Sequence, residues 1–130
     1  MRFAAALLTS LLVGSPGIAQ EAAAVSVAKR FTVALEAAEK PTPINVMHSR
    51  VVRITRSDGQ AVEDATIRID GGMRARGRDL PTAPQVTRYL GQGRYLIEGL
   101  KFNMSGNWEL SLSIEAAGQT DSAFLGLVVK

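Results

Sequence analysis

From Trp108 to Glu115 the chain alternates without a break. Trp108, Leu110, Leu112 and Ile114 occupy one parity; Glu109, Ser111, Ser113 and Glu115 occupy the other. Successive side chains of a strand point to opposite faces, so this pattern specifies a strand with one face in a core and the other in water. Shorter runs behave alike. Phe31, Val33 and Leu35 alternate with Thr32, Ala34 and Glu36, and Ile67 and Ile69 with Thr66 and Arg68. Asn45 to Arg56 is rich in β-branched residues, and Val86–Leu90, Arg94–Glu98 and Phe124–Val129 supply further strand-like segments. Ser57-Asp58-Gly59-Gln60, Gly91-Gln92-Gly93 and Ala117-Gly118-Gln119-Thr120-Asp121 are turn signals between them. About seven short strands at regular spacing specify an all-β fold, a single immunoglobulin-like antiparallel β-sandwich.

The first residues read as a secretory signal. Arg2 is the positive end, Phe3 to Val13 form a short apolar run, and Ser15-Pro16-Gly17-Ile18-Ala19 places small residues where cleavage after Ala19 is expected. The run is shorter than the ~20 residues a membrane-spanning helix needs, so the expectation is a periplasmic or secreted chain with no membrane span after cleavage. The domain reading is residues 1–19 as signal peptide, 20–41 as lead and first strand, and 42–130 as sandwich core. Within the lead, Glu21-Ala22-Ala23-Ala24 favours helix while Phe31 to Glu36 alternates. The reading adopted is a loose lead and then a strand from about Arg30 to Ala37, ended by Lys40-Pro41-Thr42-Pro43.

The chain contains no cysteine, so an exported domain must be held by packing alone. Loss of Arg2 with the signal leaves 14 basic against 12 acidic side chains. That near balance lacks the broad basic face on which nucleic-acid binding depends. His48 is the only histidine, so any Ser-His-Asp arrangement would have to use it. A lone histidine at the start of a strand is more often a packed or capped residue than a catalyst, and the lack of cysteine excludes a Cys-His pair. Gly71-Gly72 and Gly91-Gln92-Gly93 lack the strand-to-helix context of a phosphate loop. These exclusions point to a binding domain and not an enzyme.

Two sets of residues carry chemistry. Met47 beside His48, Met73 at the start of the central stretch Gly71–Pro84, and Met104 before Trp108 all lie outside the cleanest alternating runs. Thioethers with a neutral imidazole suit copper(I); methionines at loop bases also fill irregular core gaps. Arg74, Arg76 and Arg78 crowd into five residues of a stretch read as a long exposed loop. In an extended segment they would project to one side as a row that binds a small anion or a protein partner; a solvated loop is the alternative.

Gly71-Gly72-Met73, Gly77 and Leu80-Pro81-Thr82-Ala83-Pro84-Gln85-Val86-Thr87 resemble the central motif of YtkA-like domain proteins. Gly91-Gln92-Gly93-Arg94-Tyr95, Gly99 to Leu110 and Met47-His48-Ser49 are similar to the rest of that pattern, over about Asn45 to Val129. The resemblance implies a small exported or membrane-tethered β-sandwich, found alone or attached to copper-handling and oxidase-assembly proteins of the FixH type. Some members carry an auxin-binding label. The family's central loop usually reads methionine-proline-x-histidine-x-histidine. Here Met73 is kept, Arg74 stands for the proline, and Arg76 and Arg78 stand for the histidines. A guanidinium does not lose its proton and repels a cation. The metal set that remains is Met47, His48, Met73 and Met104, with Arg74, Arg76 and Arg78 available to an anion or partner.

Overall fold

A computed structural model describes residues 19–38 and 40–130. The described residues form nine strands: β1 (Gln20–Val25), β2 (Phe31–Glu36), β3 (His48–Arg56), β4 (Thr66–Met73), β5 (Arg78–Asp79), β6 (Gln85–Gly91), β7 (Arg94–Leu100), β8 (Gly106–Ala116) and β9 (Gln119–Val129). The one helical element among them is a 3-10 turn at Arg74–Arg76. The signal-peptide reading of the leading residues lies outside the described part. No helix among the described residues is long and apolar enough to cross a membrane.

All pairings are antiparallel and follow one path, β1-β2-β3-β7-β6-β4-β8-β9, with β5 on β4. The path folds over between β6 and β4, which share a single pair, Arg68↔Gln85. One half, β1-β2-β3-β7-β6, therefore faces the other, β4-β8-β9, as the two layers of a sandwich. β1 returns beside β9, and Val27 N–H donates to the Ser122 carbonyl at 2.8 Å, so the sandwich is nearly closed into a barrel.

The core follows from parity. Phe31, Val33 and Leu35 of β2, Val52 and Ile54 of β3 and Tyr95 and Ile97 of β7 face inward from one layer. Trp108, Leu110, Leu112 and Ile114 of β8 meet them from the other, with Ala123, Leu125, Leu127 and Val129 of β9. The 11 residue pairs of the β8–β9 hairpin are continuous from Gly106↔Val129 to Ala116↔Gln119. Ala117 and Gly118 form its tight turn, both at positive φ, which matches the twist of the flanking strands.

The strand count exceeds the seven or so expected because of β1 and β5. β1 occupies the alanine-rich lead: Ala22 to Val25 pair with Leu35 to Thr32 of β2, and the helix preference of alanine yields to that pairing. β4 also runs further than the sequence suggests, through Gly71, Gly72 and Met73. Here β8 and β5 come so close that a Cβ on Gly71 would collide with the Glu109 carbonyl oxygen, and one on Gly72 with that of Arg78. These glycines continue a crowded strand; they do not open a loop.

Candidate functional site

The antiparallel order puts the end of β4, the start of β8, the end of β9, the start of β3 and the end of β7 at one pole. Met47, His48, Met73 and Met104 all belong to this pole. The opposite pole carries the turns at residues 26–30, 57–65, 91–93 and 117–118.

His48 opens β3 opposite Leu100. Between His48 and Arg50 the ladder slips, because Glu98 and Gly99 of β7 stand against Ser49 alone. Gly99 adopts φ 88°, where glycine is unstrained, and Thr82 Oγ1 donates to its carbonyl oxygen at 2.5 Å. The bulge lets Ile97 and Leu100, three residues apart, both enter the core, and bulges of this kind re-aim neighbouring side chains. His48 stays on the inward parity with Arg50, Val52 and Ile54. Its ring lies 5.4 Å from that of Phe102, and Phe102 lies 5.1 Å from Trp108. Trp108 Nε1 donates to the Met104 carbonyl oxygen at 3.0 Å, fixing the backbone of the β7–β8 connection. Asn45 N–H donates to the Phe102 carbonyl at 2.8 Å, which ties the segment before β3 to the same connection.

The two imidazole nitrogens differ. Nδ1 lies 3.3 Å from the Val46 carbonyl oxygen, which can only accept, so the proton sits on Nδ1. Nε2 then presents a lone pair, and it is sealed from solvent without a partner. It is the one buried side-chain nitrogen or oxygen left unpaired among the described residues. Burial lowers the His48 pKa, the Val46 hydrogen bond opposes that, and the Arg50 charge lowers it further. The ring is neutral at pH 7.

The methionines are placed unequally. Met73 is buried in the core, and a Cβ on Gly106 would collide with its terminal methyl. Met104 is half-buried against the same core. Met47 is 57 % exposed. No group of three or more His, Cys, Asp or Glu side chains surrounds a common point among the described residues, so a hard-cation site is absent there. An ion at this pole would have to be a soft one, held by one imidazole and thioethers.

The arginine stretch is not the extended row expected from sequence. Arg74 and Arg76 lie on the 3-10 turn, which sets residues two apart roughly 240° around its axis. Gly77, at φ 63°, reverses the chain, and Arg78 pairs back on Met73. The three side chains are exposed, and Arg76 does not join the groove that Arg74 and Arg78 line. Arg74 meets Glu109 at 3.4 Å, and Arg74 and Arg78 share a shallow groove of about 440 Å³ with Asp70, Asp79 and Glu109. Three carboxylates against two guanidiniums make a poor surface for a small anion.

Sequence reading missed Arg50. Its side chain is only 4 % exposed, and Nη2 donates to Glu21 Oε1 at 2.6 Å and to the Glu36 carbonyl at 2.7 Å. The signal was present, since Arg50, Val52 and Ile54 share a parity and a charged residue on the core face requires an explanation.

The sandwich thus has tight turns at one pole and, at the other, a half-buried imidazole, two aromatic rings and three methionines. The YtkA-like family model matches residues 25–113, more than half of the chain, and the chain belongs to that family. No curated protein and no solved structure matches it at a significant level.

Proposed function

We propose that this chain is an exported, non-enzymatic YtkA-like binding domain that handles copper(I) at the His48 pole. The observation that carries the reading is the lone pair of His48 Nε2, buried with no donor to satisfy it. Buried polar groups are nearly always paired, and one that is not calls for a cause. A metal-binding histidine characteristically donates its other nitrogen to a carbonyl or carboxylate, as Nδ1 does to Val46. Met104, whose carbonyl accepts from Trp108, and Met73, whose methyl lies against Gly106, are the two methionines of this pole packed on the core. Met47, exposed at the mouth, serves as the first ligand an arriving ion meets. Neutral imidazole and thioether donors favour copper(I) over harder cations. Copper here is cargo, and a copper-handling or oxidase-assembly protein is the partner that would deliver or receive it.

The test is a competition titration of the purified protein against a chromogenic copper(I) chelator, repeated with Met104→Leu and His48→Leu. Each variant should weaken binding by roughly tenfold or more, the cost of losing one ligand from a site of few donors. Affinity unchanged in both variants, and in a Met73→Leu, Met104→Leu pair, would remove copper from this pole.

A further inference from the structure

Beside the His48 cluster lies a second cavity, of about 310 Å³, between the start of β1, the segment after β2 and the end of β9. Its polar lining includes Arg50, Lys40, Lys130, Thr42 and Glu21; Phe102, Leu127, Val129 and Ala38 supply apolar walls.

Arg50 is the centre of the arrangement. A guanidinium carries five N–H donors. Both hydrogens of Nη2 are used, on Glu21 and on the Glu36 carbonyl. Nε and Nη1 have no partner among the described residues. They are not sealed either, because the one sealed, unpaired atom is His48 Nε2. A side chain 4 % exposed that lines the cavity thus has three donors not used by the protein. Lys40 and Lys130 add two basic side chains at the rim, while Glu21, 34 % exposed, is the one acidic side chain among the described lining residues. Three basic side chains against one acidic one favour an anion, and low solvent access strengthens its hydrogen bonds.

We propose that this cavity binds a small aliphatic carboxylate, its head on Arg50 and its chain against Phe102, Leu127 and Val129. Charge-assisted hydrogen bonds to a buried guanidinium hold a carboxylate in place, and the apolar walls reward a short hydrocarbon body. The volume is at the lower end for ligand sites and fits a body of a few carbons. Inorganic phosphate offers the charge without the body. The site is separate from the arginine stretch, whose groove is balanced by its own acids, and it does not depend on copper.

The experiment is an NMR titration of the purified protein with hexanoate, hexanamide, acetate and inorganic phosphate. Hexanoate should give saturable shifts centred on Arg50 Nε–H, Phe102 and Val129. Hexanamide, acetate and phosphate should each bind roughly tenfold more weakly or not at all, lacking the charge or the chain. Arg50→Met should abolish the shifts. Because that variant removes a buried ion pair, two surface changes keep the test decisive. Ala38→Trp, at an exposed rim position, should block hexanoate, and Lys40→Ala with Lys130→Ala should weaken it about threefold and reduce its salt dependence. Hexanoate shifts that are absent, or unchanged in Ala38→Trp, overturn the proposal. Acetate or phosphate binding as tightly as hexanoate overturns the assigned ligand class. A failed copper titration leaves the hexanoate result standing, so the two readings fall separately.

Discussion

Asp121 and Arg50 are both buried charges on the core-facing parity of a strand, at opposite poles of the sandwich, and the fold treats them differently. Asp121 receives Ser26 Oγ–H at 2.6 Å, and the N–H groups of Ala28 at 2.9 Å, Ser122 at 2.8 Å and Arg30 at 3.2 Å. Ser26 Oγ in turn accepts from Phe31 N–H, so the turn between β1 and β2 is latched to β9 by one carboxylate. Tyr95, at the same pole, shares its one O–H between the Val62 and Glu63 carbonyls and accepts from Ala65 N–H. The buried polar atoms of Ser26, Asp121 and Tyr95 there all hold one segment of chain to another. At the other pole Arg50 leaves three donors unused and His48 leaves a lone pair unused. A fully satisfied polar network rigidifies a fold, whereas unpaired buried groups cost stability and persist only where something else retains them. The satisfied polar network thus lies at the Asp121 pole, and the unpaired buried groups lie at the His48 pole.

The largest effect should come from the satisfied pole. Asp121→Ala strips a shared acceptor from one hydroxyl and three amides and should cost about 3 kcal/mol, a fall in Tm of roughly 10 °C or more by calorimetry. The same latch predicts an acid response. Burial alone would raise the Asp121 pKa, but the hydrogen bonds from Ser26, Ala28, Ser122 and Arg30 outweigh it and bring it from 3.8 to about 2. The unfolded chain therefore takes up this proton first. The stabilisation is whole above pH 4 and is lost as the pH falls toward 2. Between those values the Tm of Asp121→Asn should fall less steeply than that of the wild type. Parallel slopes would show that the latch does not set the acid response.

Tyr95→Phe probes the same pole with a smaller change. It deletes a donor to two carbonyls and an acceptor for one amide, and about 1.5 kcal/mol should be lost in denaturant unfolding. Arg50→Met should cost less, about 1 kcal/mol net, because the loss of the Glu21 pair and the Glu36 bond is offset by removing a buried charge with three unpaired donors, and methionine fills most of the volume. An Arg50 variant that loses more than the Tyr95 variant would break the comparison and make Arg50 a structural staple.

Much of this architecture was legible in the chain. The parity of Trp108 to Glu115 and of Phe31 to Glu36 is a local property, so both strands were readable with their inward faces. β1 was not, because Gln20–Val25 carries small residues with no alternating contrast, and its state is decided by pairing with β2. β5 has two residues, too few to show a period. The extended arginine row failed for a related reason: Gly72 admits the backbone of Arg78 beside it, and a glycine's tolerance of close approach leaves no hydrophobic signature. The shared pole of Met47, His48, Met73 and Met104 could be anticipated from antiparallel order. The unpaired state of Nε2 could not, since it depends on how the rings of His48, Phe102 and Trp108, distant in sequence, meet in the fold. Arg50 and Asp121 were readable as polar residues on apolar parities, but parity says nothing about whether a buried charge is saturated.

The smallest expected effect is the most discriminating. His48→Leu removes an imidazole whose Nε2 gains nothing from the protein and replaces it with a side chain of similar size that keeps contact with Phe102. The one hydrogen bond lost is the exposed contact from Nδ1 to Val46. Removing an unsatisfied buried polar atom offsets that loss, so stability should stay within about 0.5 kcal/mol of the wild type or rise. Copper(I) affinity should fall at the same time. That separation, binding lost while stability is kept, is what a residue retained for a ligand produces. A loss near 2 kcal/mol in denaturant unfolding would instead mean that Nε2 is engaged in the folded protein in solution. His48 would then belong with Asp121 and Tyr95 among the groups that hold the sandwich together, and the contrast between the two poles would rest on Arg50 alone.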